Sequence, residues 1–271
     1  MAIIGNRNVS SMTTDRVLAL QGVHNFRDFG GYATSGGGRI RRGLLWRSGQ
    51  HNEASDADLE TIAGLGLATF IDLRGPEERE AHPNRLHHSF AAHVIDSDEQ
   101  TASLAPHIAT ASDGLDAEGA RVAMRALYAE MPFRPSLVGL MRRQFKALAG
   151  RDGASLVHCH AGKDRTGVAV ALVQHTLGIH RDDIAADYMM TQTAGNNEAR
   201  MAAMRDRPRP PEYAMISEEA GRVLMGVDES FLDAAFGTIK ARHGSIESYL
   251  VQVLDVSGDV AKQLRGKFSE D

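Results

Sequence analysis

The sequence predicts an α/β fold with a mainly parallel central sheet flanked by helices. Short apolar runs at residues 67–73 and 154–157 have the length of buried strands, and segments with helical periodicity alternate with them. The second run continues through a glycine-containing loop into Val168–Leu177, which is apolar almost all round and therefore typical of a buried helix. Strands that alternate with helices favour parallel pairing through crossover connections.

The elements before this loop are marked by capping residues and by proline. Ser55 and Asp58 have the capping-box spacing of a helix start, and Asp116 can cap a later helix. Pro132 and Pro135 separate two successive helices, because proline removes a backbone donor. The elements expected are, in order, a turn at 34–38, a strand at 39–48, a helix from Ser55 to Gly66, a strand at 67–73, a strand near 91–95, a helix from Asp116 to Met131 and a helix at 136–149.

After the loop the chain is predicted to be mostly helical. Residues 205–211 are rich in arginine and proline and are predicted to form a linker. The remaining helices carry apolar stripes at three- and four-residue spacing. They are expected to start at capping residues, namely Asp182 or Asp183, Asp228, Ser245 and Asp259.

Composition is that of an ordinary globular protein. Of 271 residues, 42% are hydrophobic and 24% are charged, and the formal net charge of −5 gives no support for nucleic-acid binding. No apolar run approaches the length of a transmembrane segment, and the first residues lack the order of a signal peptide. A single cysteine excludes internal disulfides and fits a reducing compartment, so a cytoplasmic location is expected. A secreted effector without a cleaved signal peptide would have the same composition.

The stretch with the most chemical information is Leu156–Gly167. It contains Cys159, the only cysteine, and Arg165 follows after five intervening residues. A loop that leaves a strand and opens a helix directs backbone N–H groups and the positive end of a helix dipole at one point, where an anion is favoured. The same environment, together with an arginine, favours the thiolate form of a cysteine.

These residue types predict phosphate chemistry. Arg165 offers two parallel N–H donors that match two phosphate oxygens, and Thr166 can donate its hydroxyl to the sulfur. A thiolate at Cys159 that faces a phosphate monoester displaces the alcohol and becomes phosphocysteine, which water then hydrolyses. By chance, fixed residues at these offsets would occur on the order of 10⁻⁸ per window. The substrate-binding residues expected around the phosphate are His160, Ala161, Gly162, Lys163, Asp164 and Arg165.

This stretch resembles the signature of cysteine-dependent protein tyrosine phosphatases, which is His-Cys, five residues, then Arg-Thr-Gly. The inner residues Ala161–Asp164 are similar to those of the atypical bacterial tyrosine/serine phosphatases. The resemblance extends from about residue 23 to about residue 250. Three further blocks match this family in order: Asn25–Tyr32, Leu45–Gly49 and Ile71–Arg74, the last followed by Glu77 or Glu78.

The resemblance implies a protein tyrosine phosphatase-like fold with an added helical lid. It also implies a phosphomonoesterase that works through phosphocysteine without a metal or another cofactor, and that acts on phosphorylated proteins at tyrosine or at both tyrosine and serine. The expected organisation is a flexible tail at 1–20 and a single phosphatase domain at 21–271. Within that domain, lid and lead-in helices are expected at about 100–150 and a C-terminal helical part at about 195–271.

Three other functions use a comparable loop. Lys163 and Asp164 resemble loop residues of phosphoinositide phosphatases, and added positive charge favours polyanionic substrates, so a phosphoinositide or inositol phosphate phosphatase is the alternative within the same chemistry. A phosphate-binding module without turnover would not require Cys159, Arg165 and Thr166 together. A sulfurtransferase of the rhodanese kind would also use a loop cysteine, but the residues around Cys159 fit it poorly.

Other polar residues favour structural roles. Buried charges are nearly always paired, so Arg27 and Asp28 are expected to form a buried brace near the loop, with Asn25 beside them. Arg47 and Ser48 end a strand, and either face the site or form a surface ion pair. Histidines at positions 82, 87, 88 and 93 lack paired cysteines or a helical His-x-x-x-His spacing, so exposed histidines are expected there rather than a metal site.

The leaving alkoxide needs a proton donor, and two aspartates are candidates. Many relatives use a Trp-Pro-Asp loop, but Trp46 is the only tryptophan here and Arg47 follows it. Asp164 lies inside the loop, whereas Asp72 is close only if its strand adjoins the strand that ends at Cys159. The resemblance favours Asp164 as the general acid and leaves Asp72 as the alternative. A carboxylate that only braces the loop is the structural interpretation of Asp164.

Overall fold

A five-stranded sheet with helices on both faces forms the centre of the computed structural model, which describes residues 15–101, 115–196 and 216–271. The strands are β1 (Arg27–Asp28), β2 (Arg39–Ile40), β3 (Leu45–Ser48), β4 (Leu67–Asp72), β5 (His93–Ile95), β6 (Ala154–His158) and β7 (Ser269–Glu270). The helices are α1 (Asp56–Ala63), α2 (Pro76–Ala81), α3 (Ala117–Glu130), α4 (Pro135–Gly150), α5 (Asp164–Thr176), α6 (Arg181–Met189), α7 (Thr191–Ala194), α8 (Glu218–Met225), α9 (Glu229–His243), α10 (Ile246–Gln252) and α11 (Gly258–Phe268).

The sheet places the end of β6 between two other strand ends. Its order is β1-β3-β6-β4-β5, with β1 antiparallel to β3 and the other neighbours parallel. Ser48 at the end of β3 and Asp72 at the end of β4 are both in register with His158 at the end of β6. Three carboxyl ends therefore meet beside Cys159, as is common for ligand sites in open α/β sheets. The predicted α/β fold with a mainly parallel sheet is confirmed.

Alternate residues of the central strands enter two different cores. Phe70 and Leu156 pack on one face together with α1, whereas Ile71 and Val157 pack on the other face with α4 and α5. Because successive side chains of a strand point to opposite faces, a sheet that is buried on both sides needs apolar residues at consecutive positions. This explains why the two central strands appear in the sequence as apolar runs and not as an alternating pattern.

Helix α5 lies inside the molecule, as its apolar composition predicts. Every residue from Thr166 to Gln174 is buried. At Gly167, an added Cβ would lie 2.9 Å from Cε2 of Tyr188, so glycine allows α6 to approach the first turn of α5 closely. The helix starts at Asp164, directly after the loop, and its N-terminus therefore points at the loop.

The strand predicted at residues 39–48 is divided into β2 and β3 by a turn at Gly43. This glycine has φ +80°, a left-handed conformation that glycine adopts without steric cost. The carboxylate of Asp28 fixes the turn by accepting hydrogen bonds from the N–H of Gly43 at 2.7 Å and from Nε of Arg42 at 2.9 Å. The break lets β2 pair with β7 while β3 joins the central sheet.

Other boundaries differ from expectation by a few residues. Helix α6 is capped by His180 and not by Asp182 or Asp183, and α11 is capped by Ser257, two residues before Asp259. Within the segment expected to be a tail, Val17 bridges to Arg27 of β1. Residues 1–14, residues 102–114 of the segment expected to hold lid and lead-in helices, and the predicted linker at 205–211 lie outside the described residues. Among the residues that are described, none of the helices is both long enough and apolar enough to span a bilayer.

Candidate active site

Residues 159–165, which are predicted to bind phosphate and are called the phosphate-binding loop below, connect β6 to α5. Cys159 is buried at the end of the strand, and Arg165 lies in the first turn of the helix. In the described part of the chain, the backbone N–H groups of residues 161–166 donate no hydrogen bond to a protein group. The first N–H groups of a helix have no partner within the helix, so these donors are available to an anion at the positive end of α5.

Gly162 gives the loop its shape. It has φ +64°, and an added Cβ would lie 2.2 Å from the carbonyl oxygen of Ser48. Its own carbonyl oxygen accepts hydrogen bonds from Nδ2 of Asn25 at 2.8 Å and from Nη2 of Arg47 at 2.9 Å. Asn25 also bonds the carbonyl oxygen of Ala161 at 3.4 Å. The carbonyl groups of the loop are thus held by side chains from β3 and from the segment before β1.

A buried carboxylate neutralises the arginines behind the loop. Asp187 accepts from Nε of Arg27 at 3.3 Å and from Nη1 of Arg47 at 2.7 Å, and all three side chains are fully buried. Burial acts to raise the pKa of Asp187, but the two arginines outweigh burial and hold that pKa below its ordinary value. The brace expected around Arg27 therefore exists, but its acid is Asp187 of α6. The expectation of Asp28 was wrong, because Asp28 fixes the turn at Gly43 instead.

Arg165 is held by Glu78 of α2. Nη1 and Nη2 of Arg165 donate to the two carboxylate oxygens of Glu78 at 2.5 and 2.7 Å, and Nη1 also donates to Oγ1 of Thr101 at 2.9 Å. Burial opposes the charge on both partners, yet the ion pair outweighs it, so the pKa of Glu78 is lowered and that of Arg165 is raised. The guanidinium is therefore charged and fixed in orientation before phosphate binds.

Asp72 adjoins the strand that ends at Cys159, but its oxygens are occupied. Arg74 donates to it from Nε at 2.9 Å and from Nη2 at 2.7 Å, and Nδ2 of Asn84 donates at 3.0 Å. Nε2 of His158 lies 3.4 Å from Oδ2. Burial acts to raise the pKa of Asp72, but His158 and Arg74 outweigh it and hold that pKa far below its ordinary value.

Asp164 has a different environment at the start of α5. Its side chain is 26% exposed, and Oδ1 accepts a hydrogen bond from the hydroxyl of Tyr128 at 2.8 Å. The ammonium of Lys163 lies 3.3 Å from the same oxygen and also donates to the carbonyl oxygen of Leu224 in α8. Helices α3 and α8 therefore both contact the loop.

His160 and Thr166 lie near opposite ends of the loop. The carbonyl oxygen of His160 accepts from the N–H of Gln50 at 3.0 Å, which ties the loop to the residues after β3. The hydroxyl of Thr166 is buried and has no hydrogen-bond partner among the described residues. The bond expected from Thr166 to the sulfur is therefore not formed in this structure, and the hydroxyl retains its hydrogen-bonding capacity.

The histidines at positions 82, 87, 88 and 93 do not converge on a metal site. Nε2 of His87 lies 3.1 Å from Oε1 of Glu60, and the ring of His82 lies 5.7 Å from that of His160. Within residues 15–101, 115–196 and 216–271, no group of three or more His, Cys, Asp or Glu side chains is arranged to hold a metal ion.

Sequence reasoning missed several residues that contact the predicted site and brace residues, among them Asn84 at Asp72, Thr101 at Arg165, Asp187 at the two arginines of the brace and Tyr128 at Asp164. Asp187 carried a signal, because it lies three positions after Ile184 and one before Tyr188 on the buried face of α6, where a carboxylate needs a partner. Tyr128 lies on the buried face of α3. Its hydroxyl gives no sequence signal, since the partner Asp164 is 36 residues away.

A buried cysteine and an arginine at the two ends of a strand–loop–helix turn, with free backbone donors between them, define the phosphate site of a cysteine-dependent phosphatase. A family model described as the tyrosine phosphatase family matches residues 18–270. The chain therefore belongs to the tyrosine phosphatase family, and the predicted family and phosphatase activity are confirmed.

Three relatives are similar to almost the whole chain. A protein of Cupriavidus necator, provisionally named tyrosine-protein phosphatase, is 37% identical over 260 residues, which are 93% of this chain and 88% of the relative. The triple specificity protein phosphatase PtpB of Mycobacterium tuberculosis is 30% identical over 277 residues, covering 92% of this chain and 98% of PtpB. A tyrosine-protein phosphatase of Nostoc commune is 27% identical over 240 residues, covering 83% of this chain and 74% of the relative.

Replacing Asp187 with alanine should destabilise the fold strongly. The substitution leaves Arg27 and Arg47 buried without a counter-charge, so we expect the free energy of unfolding to fall by about 3–5 kcal/mol in urea titrations at neutral pH. Asp233→Ala is the control, because its ion pair with Arg181 is largely exposed and should contribute at most about 1 kcal/mol. Equal stabilities of the two variants would contradict the role given to Asp187.

The same variant should show a defined pH dependence. Since folding lowers the pKa of Asp187, its stabilisation is complete above the unfolded value of about 3.9 and is lost as the pH falls below that value. We therefore expect the stability difference between wild type and Asp187→Ala to narrow in acid, as measured by unfolding at a series of pH values. A difference that stayed constant down to low pH would refute the charge argument.

Glu78→Gln should reduce catalysis by misplacing Arg165. The variant keeps the size of the side chain but removes the charge that orients the guanidinium, so kcat/KM should fall roughly ten- to hundredfold. Glu77→Gln is a matched control, because Glu77 is adjacent in sequence but exposed. The kcat/KM of each variant is measured by steady-state kinetics with an aryl phosphate. Equal losses of activity in Glu78→Gln and Glu77→Gln would contradict the role of Glu78 in orienting Arg165.

Proposed function

We propose that this phosphatase hydrolyses phosphotyrosine, and also phosphoserine, through a phosphocysteine at Cys159. The observation that carries the proposal is the loop itself, in which a buried cysteine and a fixed guanidinium flank unpaired backbone donors at the N-terminus of α5. Donors placed in advance around a phosphoryl group stabilise the charge of its transition state and need little rearrangement during the reaction.

In the first step, Sγ of the Cys159 thiolate forms a bond to phosphorus and the bond from phosphorus to the ester oxygen breaks. The backbone donors and Arg165 bind the non-bridging oxygens, and the leaving oxygen receives a proton from an acid. In the second step, water attacks phosphorus, the sulfur–phosphorus bond breaks and the thiolate is regenerated. The conjugate base of the same acid takes the proton of the water, so phosphate is released and the enzyme returns to its starting state.

Asp164 is the residue that we propose as this acid. Its side chain is partly exposed and belongs to the loop, so it is within reach of a bound ester. The oxygens of Asp72 are occupied by donors from Arg74 and Asn84, and His158 and Arg74 hold its pKa far below its ordinary value, so Asp72 is poorly suited to give a proton. We propose that Asp72 positions His158 and the end of β6.

The phosphocysteine mechanism predicts that Cys159→Ser lacks turnover but still binds phosphate. A serine hydroxyl is far less ionised than a thiol at neutral pH, so activity should fall by at least about a thousandfold. Arg165→Lys should be nearly as inactive, because an ammonium cannot make the two-pronged contact. Both are assayed with a chromogenic aryl phosphate in the presence of a chelator, together with phosphate binding by calorimetry. Substantial turnover by Cys159→Ser would refute the mechanism.

The acid assignment predicts a dependence on the leaving group. Asp164→Asn should slow an alkyl phosphate, which has a poor leaving group, at least tenfold more than nitrophenyl phosphate, which has a good one, on the order expected for general acid catalysis. Asp72→Asn should slow both esters equally, because it disturbs the position of the loop strand. If Asp72→Asn slows only the alkyl ester and Asp164→Asn slows both equally, the two roles are reversed.

A phosphoinositide is the second candidate substrate. Lys163 adds a cation to a loop that already contains Arg165, and PtpB, named for triple specificity, is similar over 92% of the chain. Additional positive charge favours substrates with several phosphates. A panel of phosphotyrosine peptide, phosphoserine peptide and short-chain phosphoinositides should be compared for wild type and Lys163→Met. Loss of activity confined to the phosphoinositides would support this candidate, and an equal loss on all substrates would oppose it.

We also propose that α3, which lies in the region predicted to hold the lid, covers the loop together with α8 of the predicted C-terminal helical part. Each contributes one contact to the loop, from Tyr128 to Asp164 and from Leu224 to Lys163. A small apolar cluster of Leu115, Ala120 and Ala220 packs the two helices together. Amide hydrogen exchange with and without bound phosphate tests this, since a cover should gain protection on binding. Unchanged exchange in both helices would contradict the assignment.

A further inference from the structure

A chain of two buried tyrosine hydroxyls ends on the side chain proposed as the acid. The hydroxyl of Tyr188 donates to that of Tyr128 at 2.7 Å, and the hydroxyl of Tyr128 donates to Oδ1 of Asp164 at 2.8 Å. Tyr128 comes from α3, Tyr188 from α6 and Asp164 from the first turn of α5. Three separate helices therefore combine to place one carboxyl group.

We infer that Tyr128 is a positioning residue that fixes which oxygen of Asp164 carries the transferable proton, and that Tyr188 keeps the hydrogen of Tyr128 directed at Asp164. This inference rests on the proposed role of Asp164 as the general acid. It assigns a function to two residues whose side chains do not touch the phosphate.

The direction of the hydrogen bonds follows from the number of hydrogens available. A phenol has one O–H, so when the oxygen of Tyr128 accepts from Tyr188, its own hydrogen is left for Asp164. Both tyrosines are buried, and burial raises the pKa of each hydroxyl well above its ordinary value, so both remain protonated at neutral pH. Because Oδ1 accepts this hydrogen and also lies 3.3 Å from the ammonium of Lys163, Oδ2 is left as the oxygen that can carry the proton to be transferred.

Packing keeps the two hydroxyls in place. The ring of Tyr128 contacts that of Tyr188 edge-on, with centroids 6.1 Å apart, and that of Phe231 in α9, with centroids 5.6 Å apart. Tyr188 also lies against Gly167, where any larger residue would push it away from α5. A rigidly held donor restricts the rotation of the carboxyl group, and correct orientation of a reacting group accounts for much of catalysis by proximity.

Tyr128→Phe tests the inference with minimal disturbance, since it removes one oxygen atom and keeps the ring. We expect kcat for an alkyl phosphate to fall roughly tenfold while kcat for nitrophenyl phosphate changes less than about threefold, because only the poor leaving group needs the acid. Tyr188→Phe should have a smaller effect in the same direction. Tyr249→Phe is the matched control: this buried tyrosine donates to the carbonyl oxygen of Pro132 and should leave both esters unaffected.

A double-mutant cycle separates positioning from a general loss of packing. If Tyr128 acts through Asp164, adding Tyr128→Phe to Asp164→Asn should slow the alkyl ester no further. Independent, multiplicative effects would overturn the inference, and so would an equal slowing of both esters by Tyr128→Phe. If Asp164→Asn itself shows no dependence on the leaving group, the proposed acid is wrong. If Asp164→Asn shows that dependence and Tyr128→Phe does not, only the inference about the tyrosines fails.

Discussion

The shape of the phosphate-binding loop depends on Asp187. Its carboxylate allows Arg27 and Arg47 to remain buried and charged behind the loop. An isolated ionised side chain in a protein interior is so unfavourable that it is normally paired with an opposite charge or becomes neutral through a shift of its pKa. Burial and repulsion by Arg47 lower the pKa of Arg27 to about 10, which still leaves Arg27 charged at neutral pH. Two positive charges and one negative charge leave a net positive charge beside the carbonyl group of Gly162. The brace thus fixes the loop and adds to its attraction for an anion.

Arg165, the arginine of the loop, has different partners from the arginines of the brace. Arg47 directs its donors at a backbone carbonyl and at Asp187. Arg165 is paired with the carboxylate of Glu78 through its two terminal nitrogens, and its Nη1 also donates to the carbonyl oxygen of Leu73 at 3.2 Å and to Oγ1 of Thr101 at 2.9 Å. Both arginines are therefore fixed by the fold, but only Arg165 belongs to the loop that starts at Cys159.

These contacts give a physical meaning to the three sequence blocks, Asn25–Tyr32, Leu45–Gly49 and Ile71–Arg74, that match the family. The first block supplies Asn25, the second supplies Arg47, and both bond the carbonyl oxygen of Gly162. The third supplies Asp72, which reaches His158, and is followed by Glu78, which reaches Arg165. The first two blocks therefore hold the same carbonyl group of the loop, whereas the third holds the strand end before Cys159 and is followed by the residue that holds Arg165. The second and third blocks contain the ends of β3 and β4, which are the two strands that adjoin β6.

The sequence predicts features that depend on residues close together in the chain, and it does not predict contacts between distant residues. Cys159 and Arg165 are joined by one strand–loop–helix turn, so their placement at the two ends of one loop could be predicted from spacing alone. Asp187 and Tyr128 are far from their partners in sequence, and which charged or hydroxyl groups meet is decided only when α3 and α6 pack against α5. The split at Gly43 was missed for a related reason, because β2 pairs with β7 at the far end of the chain.

The two candidate aspartates, Asp72 and Asp164, show how environment divides the roles of identical side chains. Asp72 accepts from the backbone N–H and the guanidinium of Arg74 and from the amide of Asn84, so its negative charge is stabilised by several donors. Asp164 accepts a tyrosine hydroxyl on one oxygen, and its side chain remains partly exposed. A proton that binds Asp72 must displace a hydrogen bond from Arg74 or Asn84. A proton on Oδ2 of Asp164 leaves the hydrogen bond from Tyr128 to Oδ1 in place. Pairs of carboxyl groups whose surroundings differ in this way are suited to separate duties, one structural and one in proton transfer.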